Sequence, residues 1–69
     1  MRSDIEEVDV IFQTMTDRAV CVRGDEDGED IWLPLSQVEI EDMEGRELRR
    51  GRPAILSGPE WLLTDKGLL

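Results

Sequence analysis

The chain contains no histidine and no tyrosine, and Cys21 is its single cysteine among 69 residues. These absences exclude a histidine-based catalytic triad, a zinc site of cysteines and histidines, and an intrachain disulfide. No apolar run reaches membrane-spanning length. Because Cys21 lies beside Val20 and Val22, we expect it to pack as a small hydrophobic side chain in a reducing compartment.

Basic residues are also scarce. Eight Lys and Arg oppose 17 Asp and Glu, which gives a formal net charge of −9. Non-specific affinity for nucleic acid comes mainly from Lys and Arg that neutralise phosphates, so this charge disfavours direct nucleic-acid binding. Residues 1–35 carry −7 and residues 36–69 carry −2, so the acidity is concentrated in the first half of the chain.

The length and the hydrophobic content of 39% predict one compact domain over residues 1–69. A disordered acidic tail would hold fewer apolar residues. The first seven residues contain no apolar run of the signal-peptide type, so the expected location is the cytoplasm. We expect neither a cofactor nor a membrane partner.

Alternating hydrophobic residues predict a mainly β fold, α+β in class, with about five strands in a small antiparallel sheet or barrel. The predicted strands span residues 8–14, 19–23, 31–34, 36–42 and 52–57. In the first, Val8, Val10 and Phe12 share one face. Pro34 should end the third strand, and Pro53 argues that the fifth strand lies at an edge of the sheet, because proline cannot donate to a ladder.

The segment between the second and third strands carries a hairpin signal. Asp27–Gly28 favours a two-residue type I′ turn, which needs positive φ at both central residues. That turn would pair Val22 with Leu33 and place Arg23 opposite Trp32, where we expect a cation–π contact. A four-residue loop would give the same inward and outward faces.

The C-terminal segment predicts a helix of about eight residues that starts near Pro59. A stop signal at Gly67 and an apolar residue after it predict a Schellman ending in which Leu68 packs on Leu63. So short a helix does not persist alone, so we expect it to dock on the sheet through Trp61 and the leucines beside it.

Two groups of acids are candidate binding residues. The run over 25–30 resembles a calcium loop in composition, but an EF-hand register would place Arg23 and Pro34 at ligand positions, so we expect no metal site. In the fourth predicted strand, two acids project to one side ~6.8 Å apart, and such rows can imitate duplex DNA, which carries one charge per ~1.7 Å. A solubility field or adaptation to salt is the alternative origin of this charge. The candidate partner-binding residues are Asp25, Glu26, Asp27, Glu29, Asp30, Glu39 and Glu41.

One basic segment lies between the fourth and fifth predicted strands. Its four arginines are Arg46, Arg49, Arg50 and Arg52. We expect them to pair internally with acids such as Glu44 and Glu47.

Two segments resemble small uncharacterised proteins of phages and other mobile elements: IWLPLSQVE over residues 31–39 and PEWLLTDKGL over residues 59–68. Together they cover 19 of the 69 residues, and Leu35 replaces the lysine expected at its position. The resemblance implies strands closed by a terminal helix and transfers no catalytic residues. With the small size and the acidity, it makes the chain similar to anti-CRISPR proteins, several of which mimic DNA.

The leading hypothesis is therefore a non-enzymatic inhibitor in the cytoplasm of a host cell. As a DNA mimic, it would occupy a basic DNA-binding surface, such as the PAM-reading surface, on a subunit of a type I CRISPR effector complex. The rival hypothesis is a phage accessory or assembly module that binds a protein through an apolar face around Trp32 and Trp61, which we expect in the core or at its edge. A hydrolase that uses only carboxylates is a third reading, and a monomer is favoured.

Overall fold

The computed structural model describes residues 4–69, which form five β-strands followed by one α-helix. The elements are β1 (Ile5–Met15), β2 (Ala19–Arg23), β3 (Ile31–Pro34), β4 (Glu39–Asp42), β5 (Pro53–Pro59) and α1 (Glu60–Asp65). Residues 1–3 lie outside the described residues. They belong to the first seven residues, in which we expected no export signal. The predicted class, mainly β with one short C-terminal helix, is confirmed.

All five strands form one antiparallel sheet in the order β3-β2-β1-β5-β4. The prediction that the last strand lies at an edge was wrong, because β5 pairs with β1 on one side and with β4 on the other. Pro53 is tolerated there as the first residue of the strand, where a missing N–H costs least. Its carbonyl still accepts the N–H of Met43 at 3.2 Å.

The sheet is strongly curled. The connection from Pro34 at the end of β3 to Glu39 at the start of β4 covers ~18 Å at most when extended. In a flat sheet these two edge strands would lie ~19 Å apart, and the connected ends would also be offset along the strands. The short connection is therefore possible only because the sheet curls, and a bulge in β1 between Phe12 and Thr14 adds local twist.

The register between β2 and β3 differs from the prediction. Val22 pairs with Ile31, and Cys21 is the residue opposite Trp32. The predicted type I′ turn was wrong, because no non-glycine residue in the described part of the chain has positive φ and Gly28 does not adopt it. The connection spans residues 24–30, but the shift is by an even number of residues, so the predicted inner and outer faces are kept.

The core lies between the inner face of the curled sheet, α1 and the connection between β3 and β4. Val38 from that connection is buried and packs in the same cluster as Leu56 of β5 and the helical residues Leu62 and Leu63. The predicted fourth strand was too long, because residues 35–37 form a turn and β4 begins at Glu39. The buried hydrophobic cluster comprises Val10, Phe12, Val20, Val22, Leu33, Val38, Ala54, Leu56, Leu62 and Leu63.

The helix α1 is shorter than predicted and ends as predicted. Its first residue is Glu60, and Pro59 is its N-cap. At the other end, the N–H of Leu68 donates to the carbonyl of Leu63 at 2.8 Å, and the N–H of Gly67 donates to the carbonyl of Thr64 at 3.1 Å. With a φ of +77° at Gly67, this pair of bonds is a Schellman motif.

Candidate functional site

The outer face of the sheet, opposite the core, carries four carboxylates in a compact arrangement. Glu39 and Glu7 both pair with Ser57 from opposite sides of β5. In the same way, Glu41 and Asp9 both pair with Ile55. Residues that alternate along a strand point to one face, so these four side chains share it. We call Glu7, Asp9, Glu39 and Glu41 the acidic face.

The dimensions of the acidic face follow from sheet geometry. Glu7 and Glu39 are separated by two strand spacings, ~10 Å, and the two acids on each strand are ~6.8 Å apart. A shallow cleft of about 180 Å³ lies between them, with Ile55 and Ser57 in its lining. The face is therefore a small charged surface with a partly apolar floor.

No basic side chain in the described part of the chain neutralises the acidic face. The ion pairs present involve Asp30, Asp42, Glu44 and Glu47 as the acidic partners. All four members of the acidic face are exposed, so their charges are directed to solvent. The unpaired charge is thus available to a positively charged partner.

The second group of predicted binding residues lies in the connection between β2 and β3, which we call the acidic loop (residues 24–30). Asp25 shapes the loop, because its Oδ1 accepts the N–H of Asp27 at 3.0 Å and its carbonyl accepts the N–H of Gly28 at 3.0 Å. Asp30 Oδ1 accepts a hydrogen bond from Arg23 Nε at 2.7 Å. Arg23 is thus paired with a carboxylate, and the predicted placement of Arg23 directly opposite Trp32 was wrong, since the register places Cys21 opposite that residue.

The structure places the predicted binding residues in two groups. The acidic loop joins β2 to the edge strand β3, whereas Glu39 and Glu41 lie on β4, the opposite edge in the strand order. The neighbours of Glu39 and Glu41 are instead Glu7 and Asp9, which the sequence reasoning did not select. The alternation of β1 already indicated that these two acids point outward, but only the β1–β5 pairing brings them near β4.

The connection between β4 and β5 holds the four arginines of the basic segment, and we call residues 43–52 the arginine loop. The expected internal pairing is confirmed for three of the four arginines: Arg49 Nη2 lies 3.3 Å from Glu47 Oε2, and Arg46 Nε lies 3.6 Å from Glu44 Oε2. Arg52 contacts Glu44 as well, with its Nη2 3.3 Å from the same Oε2. Arg50 has no ion pair among the described residues, so the loop keeps a net positive charge.

Asp42, the last residue of β4, anchors the arginine loop. Its side chain is almost fully buried, its Oδ1 accepts Arg52 Nε at 3.1 Å, and its Oδ2 accepts the N–H groups of Glu44 at 2.9 Å and Arg46 at 3.2 Å. The hydrogen bond from Arg52 lowers the pKa of Asp42, with the two N–H donors adding to the effect and burial opposing it. The same contact raises the pKa of Arg52.

The two tryptophans are exposed, so the expectation that they lie in the core or at its edge was wrong. Trp32 lies on the outer side of the edge strand β3 and is 45% exposed, and Trp61 is 63% exposed. Leu62 and Leu63, in contrast, are buried and dock α1 as expected. Trp32 belongs to β3 and Trp61 to α1. Within residues 4–69, α1 packs on β5 and β1 and not on β3, so the two elements that carry the tryptophans are not packed together.

Cys21 is buried in β2, as expected for a packing residue. Burial raises the pKa of its thiol, and the negative charge of Asp30 raises it further. Since the thiolate is the reactive form, this environment favours an inert side chain.

None of the groupings of Cys, Asp and Glu within residues 4–69 could hold a metal ion. No helix in that part of the chain is long and apolar enough to cross a membrane.

Comparison with known proteins gives no relative. No protein-family model matches the chain, and neither the curated proteins nor the solved structures contain a significant match. Any functional conclusion therefore depends on the residues and their geometry.

Proposed function

We propose that this protein is a non-enzymatic inhibitor of the anti-CRISPR type, a DNA mimic that occupies a basic DNA-binding surface on a type I CRISPR effector complex. The observation that carries the proposal is the acidic face, whose four carboxylates have no basic partner among the described residues. The partner would supply the missing Lys and Arg side chains.

The charge density of the acidic face matches that of a duplex over a short length. About 7 Å of DNA axis carries about four phosphate charges. The acidic face places four carboxylates within one strand repeat of ~6.8 Å, over a width of ~10 Å. Lys and Arg side chains spaced to contact a few consecutive phosphates could therefore contact these carboxylates instead.

The position of the acidic face on paired strands supports a binding role. A charged surface built on a sheet is held in one arrangement, so little conformational entropy is lost when a partner binds. The acidic loop adds four exposed acids without ion pairs in the described structure, and these are Asp25, Glu26, Asp27 and Glu29. Charge outside the contact itself mainly raises the association rate and makes it sensitive to salt.

A host defence complex is proposed as the target because the sequence patterns of residues 31–39 and 59–68 led us to expect a phage or mobile-element protein. A DNA-binding surface of such a complex is lined with Lys and Arg, which gives the charge complementarity that the acidic face requires. Direct binding of nucleic acid to the acidic face is disfavoured by repulsion between carboxylates and phosphates.

The test measures displacement of target DNA from a type I effector complex over a salt series. One variant neutralises the acidic face (Glu7→Gln, Asp9→Asn, Glu39→Gln, Glu41→Gln), and a second neutralises the five acids of the acidic loop. The matched control removes four exposed acids elsewhere (Asp4→Asn, Asp17→Asn, Glu60→Gln, Asp65→Asn). Circular dichroism checks that each variant is folded.

We expect the acidic-face variant to lose inhibition by about tenfold or more, because several charge-assisted contacts are removed together. The control should retain inhibition, and the wild type should weaken as salt rises. A folded acidic-face variant that inhibits like the wild type would refute this function, as would a control that fails equally.

A second candidate function is supported by the exposure of the tryptophans. An aromatic side chain on a protein surface is a frequent anchor in protein interfaces. Since Trp32 and Trp61 lie on separate elements, an accessory module would use one of them at a time. Two results would favour this function over DNA mimicry. The Trp32→Ala variant would lose binding to a protein partner while the Trp61→Ala variant keeps it, and the affinity of the wild type for that partner would persist at moderate salt.

A further inference from the structure

The arginine loop has a charge opposite to that of the rest of the molecule. It holds four of the eight basic residues of the chain, against two glutamates, for a local charge of +2 in a protein of −9. Arg46, Arg49 and Arg50 are exposed, and Arg50 has no ion pair among the described residues. The proposed function makes no use of this segment.

Two guanidinium groups of the loop converge on a single oxygen atom. Glu44 Oε2 lies 3.6 Å from Arg46 Nε and 3.3 Å from Arg52 Nη2. Arg46 and Arg52 also line a surface cavity of about 370 Å³, together with Arg49 and Glu47. The carboxylate of Glu44 thus bridges two guanidiniums that also line this cavity.

The frame of this cavity is held firmly. Asp42 fixes Arg52 by a side-chain contact and fixes the backbone at Glu44 and Arg46 by accepting their N–H groups. At the other end of the loop, the N–H of Gly51 donates to the carbonyl of Phe12 in β1 at 2.8 Å. The guanidiniums are therefore presented from a pinned loop and not from a free segment.

We propose that this cavity binds a phosphoryl group, which displaces the carboxylate of Glu44 from Arg46 and Arg52. A guanidinium offers a planar fork of donors that matches phosphate oxygens, and a phosphoryl group brings more charge and more acceptor oxygens than a carboxylate. The side chain of Glu44 is 60% exposed, so it can turn into solvent when displaced. Arg49, which also lines the cavity and is paired with Glu47, supplies a third guanidinium.

The test is a titration of the 15N-labelled full chain with inorganic phosphate, followed by amide chemical shifts in 0.15 M sodium chloride, about physiological ionic strength. A parallel titration uses a single-stranded DNA of about six nucleotides, so that a phosphodiester source is distinguished from free phosphate. The variants are Glu44→Ala, which removes the carboxylate that contacts Arg46 and Arg52, and the double variant Arg46→Gln with Arg49→Gln. Arg18→Gln is the control, because Arg18 is exposed in the turn between β1 and β2.

We expect saturable shifts confined to the amides of the arginine loop, about tenfold weaker affinity in the double arginine variant and several-fold tighter affinity in Glu44→Ala. Arg18→Gln should bind like the wild type. Binding of phosphate alone identifies a free phosphate or a monoester, and binding of the oligonucleotide through the same amides identifies a phosphodiester.

Several results would overturn the site. They are the absence of saturable shifts with both ligands, undiminished binding by a double arginine variant whose sheet resonances are unchanged, and equal weakening in Arg18→Gln. Unchanged or weaker phosphate binding by a folded Glu44→Ala variant would equally contradict the displacement of Glu44.

Discussion

Gly58 in β5 lies directly beneath Val38, so that a Cβ placed on Gly58 would be 2.8 Å from Val38 Cγ1. That distance is shorter than real carbon contacts allow, and both positions are buried. The close approach fixes how the connection between β3 and β4 crosses the inner face of the sheet.

Gly58→Ala should therefore destabilise the fold by about 1–3 kcal/mol, the usual cost of adding a buried methyl group to a packed core. The measurement is urea unfolding followed by circular dichroism. Gly24→Ala is the control, because its Cβ would meet Leu68 Cδ2 at an ordinary 3.7 Å and should change stability little. If the clash is the cause, the effects of Gly58→Ala and Val38→Ala will be non-additive in the double variant; strict additivity would contradict it.

Asp42 should make the stability of the protein sensitive to acid. Because Arg52 lowers the pKa of Asp42 below its ordinary value of 3.8, the unfolded chain takes up this proton more readily than the folded one. The stabilisation is complete above that ordinary value and is lost as the pH falls below it. Asp42→Asn should lower the Tm at pH 7 and flatten its dependence on pH in the acid range.

Thermal unfolding from pH 7 down to about pH 2 measures this effect. Asp17→Asn, which removes an exposed acid in the turn after β1, serves as the comparison and should leave the acid dependence in place. An Asp42→Asn variant that loses stability with acid as steeply as the wild type would show that another group is responsible.

Gly67 should contribute to stability through its backbone conformation. Its φ of +77° belongs to the left-handed region, which costs a residue with a Cβ about 1 kcal/mol, so Gly67→Ala should destabilise the protein by roughly that amount. Lys66→Ala, at a φ of −86°, should have a smaller effect. Equal unfolding free energies for the wild type and Gly67→Ala would mean that the Schellman ending of α1 is not maintained in solution.

Cys21 should be unreactive in the folded protein. The residue is 1% exposed and burial raises the pKa of its thiol, so both access and thiolate population are low. Reaction with a disulfide reagent such as DTNB should be at least about a hundredfold slower in buffer than in denaturing urea. Comparable rates in the two conditions would show that β2 opens readily.

Local sequence patterns predicted most of the secondary structure, because side-chain alternation along a strand and the backbone conformation at a helix end depend on neighbouring residues. Alternation identified the strands around Val10 and Ile40, and the glycine after Lys66 identified the end of α1 with its Schellman bonds. The turn at Asp27–Gly28 was wrong because tertiary pairing overrode a local preference: the chain uses a longer loop that brings Asp30 to Arg23.

Long-range pairing was the part that the sequence could not supply. Pro53 suggested an edge, yet β5 lies in the middle of the sheet, since proline at the first position of a strand removes no essential ladder bond. The same pairing placed Glu7 and Asp9 beside Glu39 and Glu41, and so created an acidic face that no local pattern indicates. The prediction that the tryptophans lie in the core or at its edge was also wrong. Large aromatic residues are usually buried, but Trp32 and Trp61 face solvent.

The pairing of β1 with β5 joins Ile5 to Pro59, residues near opposite ends of the described chain. During synthesis, β1 is therefore translated before its second neighbour, β5, exists. Contacts between such distant residues are slow to form, so the acidic face is assembled late, after translation of β5. A nascent chain that stops before residue 53 would expose the edge of β1 and lack the binding surface entirely.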